Sequence, residues 1–125
     1  ERDVVRQHVQ LGYEILGDSR SAFLLMAADI ARCHHERWDG SGYPSGLTGT
    51  EIPLAARVVA IADVLDSMTT PRSYRQRVSL TAAMEWIRAH SGKLFDPDLV
   101  RILFAKESEV ITVCRTFAPP SAAGN

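Results

Sequence analysis

The sequence predicts an all-α fold, a compact bundle of about five helices interrupted by one long glycine-rich loop. Two observations lead there. Apolar residues recur at helical spacing in successive segments, and capping or terminating residues stand between those segments. No internal repeat or linker divides the pattern, and 125 residues suit one domain with a single core.

The first helix is expected from about Val4 to Leu16, with Val4, His8, Leu11, Gly12 and Ile15 on one inward stripe and Gly17 as its stop. The second starts near Ser21 and carries Leu24, Leu25, Ala27, Ala28 and Ala31 inward. It ends on His34 and His35 before Trp38-Asp39-Gly40. From Glu36 to Ile52, four glycines and one proline cannot continue a helix and read as a shaped loop. Loops of that length inside a small domain are usually functional.

A third helix opens around Pro53 and runs to about Thr69. Val58, Val59, Ile61, Ala62 and Leu65 make it apolar nearly all round, which predicts the most buried helix. Ser79 caps a fourth, with Leu80, Ala83, Met84 and Ile87 on its core face and Gly92 at its end. The fifth begins with Asp96 as cap and Pro97 at its first position. Phe95 and Val100 there have the spacing of a hydrophobic staple. Val110 to Val113 is expected to be extended, and the Ala/Pro/Ser/Gly tail has too little to bury.

Composition narrows the function. Lys+Arg 14 against Asp+Glu 15 argues against a broad electrostatic footprint for duplex nucleic acid, so any phosphate site must be local. No apolar run approaches the ~20 residues that span a bilayer, which predicts no membrane insertion of this segment. Cys33 and Cys114 lie far apart without a secretory leader, so a reducing compartment, the cytoplasm, is expected and a disulfide is not. The chain opens at Glu1 already on a helical pattern, as a segment of a longer polypeptide would.

His8, His34, His35 and Asp63 all fall on faces expected to point into the core. A buried carboxylate loses several kcal/mol of solvation, so Asp63 would need a cation, a metal or several donors. Any one inward histidine is more often a donor to a backbone carbonyl, but four such residues on three helices favour a metal site. Adjacent residues on a helix diverge by about 100°, so His34 and His35 would suit two neighbouring ions better than one. Asp66, one turn on, is either an acceptor orienting a ligand histidine or a solvated charge. Gly40-Ser41-Gly42 lacks the third glycine and the preceding strand of a dinucleotide motif. Arg72, Arg75 and Arg77 with Tyr74 form a cationic and aromatic cluster suited to bidentate phosphate contacts.

The run His34-His35-Glu36-Arg37-Trp38-Asp39-Gly40-Ser41-Gly42-Tyr43-Pro44 resembles the signature of the HD-GYP domains, bacterial members of the HD metal-dependent phosphohydrolase superfamily. The likeness continues through Glu51-Ile52-Pro53, Ala62-Asp63-Val64-Leu65-Asp66, Arg72-Ser73-Tyr74-Arg75 and Phe95-Asp96-Pro97, and back to His8 with Gly12. It implies the C-terminal portion of an HD-GYP domain over residues 1–117, and the composition of 118–125 makes those residues a flexible tail. It further implies a cyclic di-GMP phosphodiesterase with two or three divalent ions, iron or manganese. Carried over, His8, His34, His35 and Asp63 are metal ligands, with His34, His35 and Asp63 at the catalytic centre. Tyr43, Arg72 and Arg75 are then substrate contacts. The resemblance also implies an upstream sensory or receiver domain and a protein partner at the Gly-Tyr-Pro loop. The family's His-Asp pair occurs nowhere in this chain, so the segment alone is expected to be weakly active or inactive. The competing expectation is a non-catalytic nucleotide-sensing or protein-interaction module with a degenerate metal site.

Overall fold

In the structure, a computed structural model describing residues 2–71, 73–74 and 76–118, the described residues form six α-helices and one 3-10 turn. The helices are α1 (Arg2–Gly17), α2 (Ala22–Cys33), α3 (Leu54–Thr69), α4 (Leu80–Ala89), α5 (Pro97–Ala105) and α6 (Glu107–Thr116), with the 3-10 turn at Gly49–Glu51. The all-α class is as the helical spacing predicts. The expected tail lies outside the described residues from 119 onward.

Local chemistry sets several boundaries. The Ser79 hydroxyl accepts the Ala82 amide at 3.1 Å, and the Asp96 carboxylate accepts the Asp98 amide at 2.9 Å with Pro97 next in line. Each cap satisfies a donor that the first helical turn leaves without a partner. Pro53 stands just before α3 rather than inside it.

The main core joins α3, α4 and α5 through Ile61, Leu65, Ala83, Met84, Ile87, Phe95 and Val100. A smaller cluster of Cys33, Ile52 and Ala56, backed by Leu47, seals the underside of the long loop. The Arg57–Asp96 ion pair, at 2.6 Å with Asp96 buried and Arg57 partly so, ties α3 to the start of α5, and Arg57 Nε also donates to the Ile52 carbonyl at 2.9 Å. Both cysteines are free.

Four expectations are corrected. Val110 to Val113 is helical, because Val110 and Cys114, one turn apart, pack together on the main core. The inward face of α1 is set by Val9 and Gly12, while Val4, Leu11 and Ile15 are exposed. Gly12 brings the two helices together: a Cβ there would stand 3.1 Å from the Ala31 Cβ. Leu24 and Leu25 are likewise exposed on α2, where the small residue Ala28 is the one fully covered. Finally, α3 is not buried all round, since Leu54, Val58, Ala62 and Asp63 face outward. Among the described residues, no helix is long and apolar enough to cross a membrane.

Candidate metal centre

The last turn of α2 and the residues that follow it assemble the site. The helix closes at Cys33, and His34 is its C-cap, still in the right-handed helical region, with His35 following it. Their ring centroids lie 4.0 Å apart. His8, one face of α1 away, brings its ring to 5.4 Å from His35 and 6.1 Å from His34. One nitrogen from each of the three rings falls within 4.8 Å of the other two. Two nitrogens bound to one tetrahedral ion at about 2.1 Å are about 3.4 Å apart, so side-chain movements of about 1 Å close the set. The same spacing accommodates two neighbouring ions about 3.5–4 Å apart, the arrangement expected for His34 and His35.

Two features prepare these imidazoles as ligands. His34 Nδ1 donates to the carbonyl oxygens of Ile30, at 2.8 Å, and Ala31, at 3.1 Å. Carbonyls only accept, so the proton sits on Nδ1 and the lone pair of Nε2 is left for a cation. Burial pushes the His35 imidazole below its ordinary pKa, and the neighbouring His34 and His8 push the same way, outweighing the opposite pull of Asp63. A neutral imidazole is the form that binds a metal.

Asp63 departs from its expected burial. It is exposed, so the desolvation argument that required a partner for its carboxylate does not apply. Its charge still acts on His35, which places it beside the triad, but among the described residues the convergent ligand set is His8, His34 and His35. His8 is exposed too, although it was expected to face the core. It turns toward α2 at the rim of the helix pair rather than into the interior. Tyr43 lies over the site, its ring stacked on His35 at 4.9 Å with the planes 20° apart. Arg72 and Arg75 lie outside the described residues, and Tyr74 between them is exposed.

Sequence reasoning gave no separate role to two residues here. Glu36 is only 3% exposed, and its carboxylate accepts the amides of Ser45 at 2.7 Å and Leu47 at 3.0 Å. Its sequence signal was an acid placed directly before a glycine-rich run, where free backbone amides are plentiful. Arg6 carries its guanidinium to 5.0 Å from the centre of the Tyr43 ring, adding a permanent cation close to the histidines. Nothing in its spacing on α1 announces that contact.

Comparison with known proteins places these residues in context. The sequence profile of the HD domain family matches residues 1–99. The chain is 43% identical to the cyclic di-GMP phosphodiesterase response regulator RpfG of Xanthomonas campestris, over 98% of this chain and 32% of that protein. It is 43% identical to a cyclic di-GMP phosphodiesterase of Thermotoga maritima, over 92% of this chain and 31% of the other. A 3'3'-cGAMP-specific phosphodiesterase of Vibrio cholerae is 40% identical over 88% of this chain and 21% of its own length. The chain thus spans a third or less of these relatives. The crystal structure of a cyclic GMP-AMP specific phosphodiesterase of V. cholerae shares the fold, with a TM-score of 0.73 at 24% identity over 93% of this chain and 26% of the other.

Proposed function

The chain belongs to the HD domain family, and from that premise we propose that it is the C-terminal portion of an HD-GYP domain that hydrolyses cyclic di-GMP in bacterial second-messenger signalling. The observation that carries this reading is the convergence of one nitrogen each from His8, His34 and His35 within 4.8 Å. Relatives named as cyclic di-GMP phosphodiesterases support the substrate class. Among the described residues only these three ligand atoms converge, fewer than two ions need. The second reading is a non-catalytic sensing or interaction module with a degenerate metal site.

In the first reading His8, His34 and His35 hold a divalent ion, with Asp63 completing the ligand set from α3. Two or three ions, iron or manganese, occupy the full domain. Such an ion supplies a Lewis acid for the phosphoryl oxygens and makes a nucleophile available at neutral pH. The rest falls to the protein. His34 keeps its proton on Nδ1 through the Ile30 carbonyl, which orients the ring with Nε2 toward the centre. His35 stays neutral through its burial beside two other imidazoles. Tyr43, stacked on His35, is the substrate contact of the loop and positions a base beside the histidines. Arg72 and Arg75 take the phosphates as bidentate donors, which fixes the diester for in-line attack.

The test is hydrolysis of cyclic di-GMP, with 3'3'-cGAMP as the competing substrate, by the longest natural polypeptide containing this segment and by its His34→Ala variant. The reading expects turnover that prefers cyclic di-GMP and disappears together with bound metal in the variant. It expects residues 1–125 alone to be weakly active or inactive. Preference for 3'3'-cGAMP would reassign the substrate, and metal-independent turnover would remove the reading. Binding without turnover would favour the sensing module.

A further inference from the structure

We propose that Glu36 is a positioning residue: its buried carboxylate anchors the glycine-rich loop so that the Tyr43 ring packs on His35 and holds that imidazole toward His8 and His34. The inference rests on the metal-binding reading of the three histidines. It begins with an energetic anomaly. A carboxylate with 3% exposure gives up several kcal/mol of hydration, and no cationic side chain pairs with Glu36 among the described residues. Its compensation comes from two backbone amides, Ser45 at 2.7 Å and Leu47 at 3.0 Å, each on a different carboxylate oxygen.

Those two amides lie nine and eleven residues further along the chain, so the bonds close the loop back onto its own beginning. On the near side, the Tyr43 amide donates to the His35 carbonyl at 3.2 Å. Gly42 makes that approach possible. A Cβ there would stand 2.4 Å from the Arg37 nitrogen, 2.5 Å from the His35 oxygen and 2.6 Å from the Glu36 Cα. The backbone of Tyr43 is therefore held between an anchor at His35 and a second at Glu36, and its ring packs on the His35 face.

A plain loop staple would predict the same bonds, but the loop has other fastenings. Asp39 donates its amide to the Lys93 carbonyl at 2.9 Å, Trp38 to that of Leu94 at 3.3 Å, and Thr48 donates its hydroxyl to Glu51 at 2.6 Å. Those hold the base of the loop to the turn before α5 and organise its far end. Glu36 alone of these fastenings secures the strand of chain immediately after Tyr43.

The experiment is a cobalt(II) titration of the full chain, read by the visible absorption of the bound ion, for wild type and for Glu36→Ala, Glu36→Gln, Tyr43→Ala, Thr48→Val and His35→Ala. Loss of a residue that orients a ligand typically weakens metal affinity by about 10–100-fold. We expect that loss and a changed absorption band for Glu36→Ala and Tyr43→Ala, a smaller loss for Glu36→Gln, which keeps one acceptor oxygen, and wild-type affinity for Thr48→Val. Should His35→Ala bind cobalt as wild type does, the metal reading falls and the positioning role with it. If His35→Ala loses the ion while Glu36→Ala and Tyr43→Ala stay within about twofold of wild type, the positioning role alone is overturned, since the expected change is about tenfold or more. Should Glu36→Ala lose its helical circular dichroism, Glu36→Gln and Tyr43→Ala decide by the same criterion.

Discussion

The half of the molecule built from α3, α4 and α5 differs from the α1–α2 pair in what holds it together. In the first, large side chains interlock: Met84 and Ile87 are fully covered, and Phe95 and Val100 close the space between them. In the second, the contact is made by Val9, Gly12, Ala28 and Ala31, while Val4, Leu11, Ile15, Phe23 and Met26 stay outside. Burial of apolar area contributes about 25 cal/mol per Å², so the first half carries most of the stability. The histidines sit on the second, with the loop bridging the two through Trp38 and Asp39. Stability and metal chemistry are thus drawn from separate parts, and they should respond separately to substitution.

The largest expected effect is on the core. Ile87→Ala removes a fully buried side chain and should cost about 2–5 kcal/mol in a denaturant titration, with the cobalt affinity of the remaining folded protein unchanged. A parallel loss of affinity would show that the two halves are coupled.

Next comes the helix pair. Gly12→Val places bulk where even a Cβ would be 3.1 Å from Ala31 and should cost about 1–3 kcal/mol by forcing α1 away from α2. Because His8 rides on α1, its nitrogen moves off the other two, and cobalt affinity should fall by more than the stability loss explains. Unchanged affinity in folded Gly12→Val protein would mean that His8 is dispensable.

Smaller again, Ser79→Ala removes the cap of α4 and should cost about 1 kcal/mol without touching metal binding.

The smallest effect is pH. Burial lowers the pKa of His35 in the folded state, so the unfolded chain takes up its proton first as pH falls. Stability from this group is therefore complete above the ordinary histidine pKa of about 6.5 and declines below it until the folded imidazole also protonates. His35→Gln should flatten the fall of the melting temperature below about pH 6.5. An unaltered profile would locate the acid sensitivity elsewhere.

Which of these features could be read beforehand follows from the range of the interaction involved. Ser79 and Asp96 were legible as caps because each bonds an amide two or three residues away. The histidine-rich run and the glycine loop were legible because residue type and spacing carry the chemistry. The phase of α1 was not, since it depends on Gly12 meeting Ala31 across the pair, and larger apolar side chains at helical spacing pointed to another stripe. Val110 to Val113 has local strand preference, and only its packing on the main core makes it helical. Asp63 misled for a similar reason: apolar neighbours in sequence do not establish burial on a helix whose outer side is open. Glu36 stood within the recognisable run, but its partners Ser45 and Leu47 are identified only by the folded path of the loop.

The central claim is that His8, His34 and His35 share one ion. It is tested most directly by an anomalous difference map from crystals of this chain soaked in zinc, which imidazole sites hold more tightly than iron(II) or manganese. The account predicts a peak about 2.0–2.1 Å from one nitrogen of each of the three rings, with His34 bound through Nε2. A map with no peak at the triad, or with zinc bound to these histidines singly at separate positions, would contradict it.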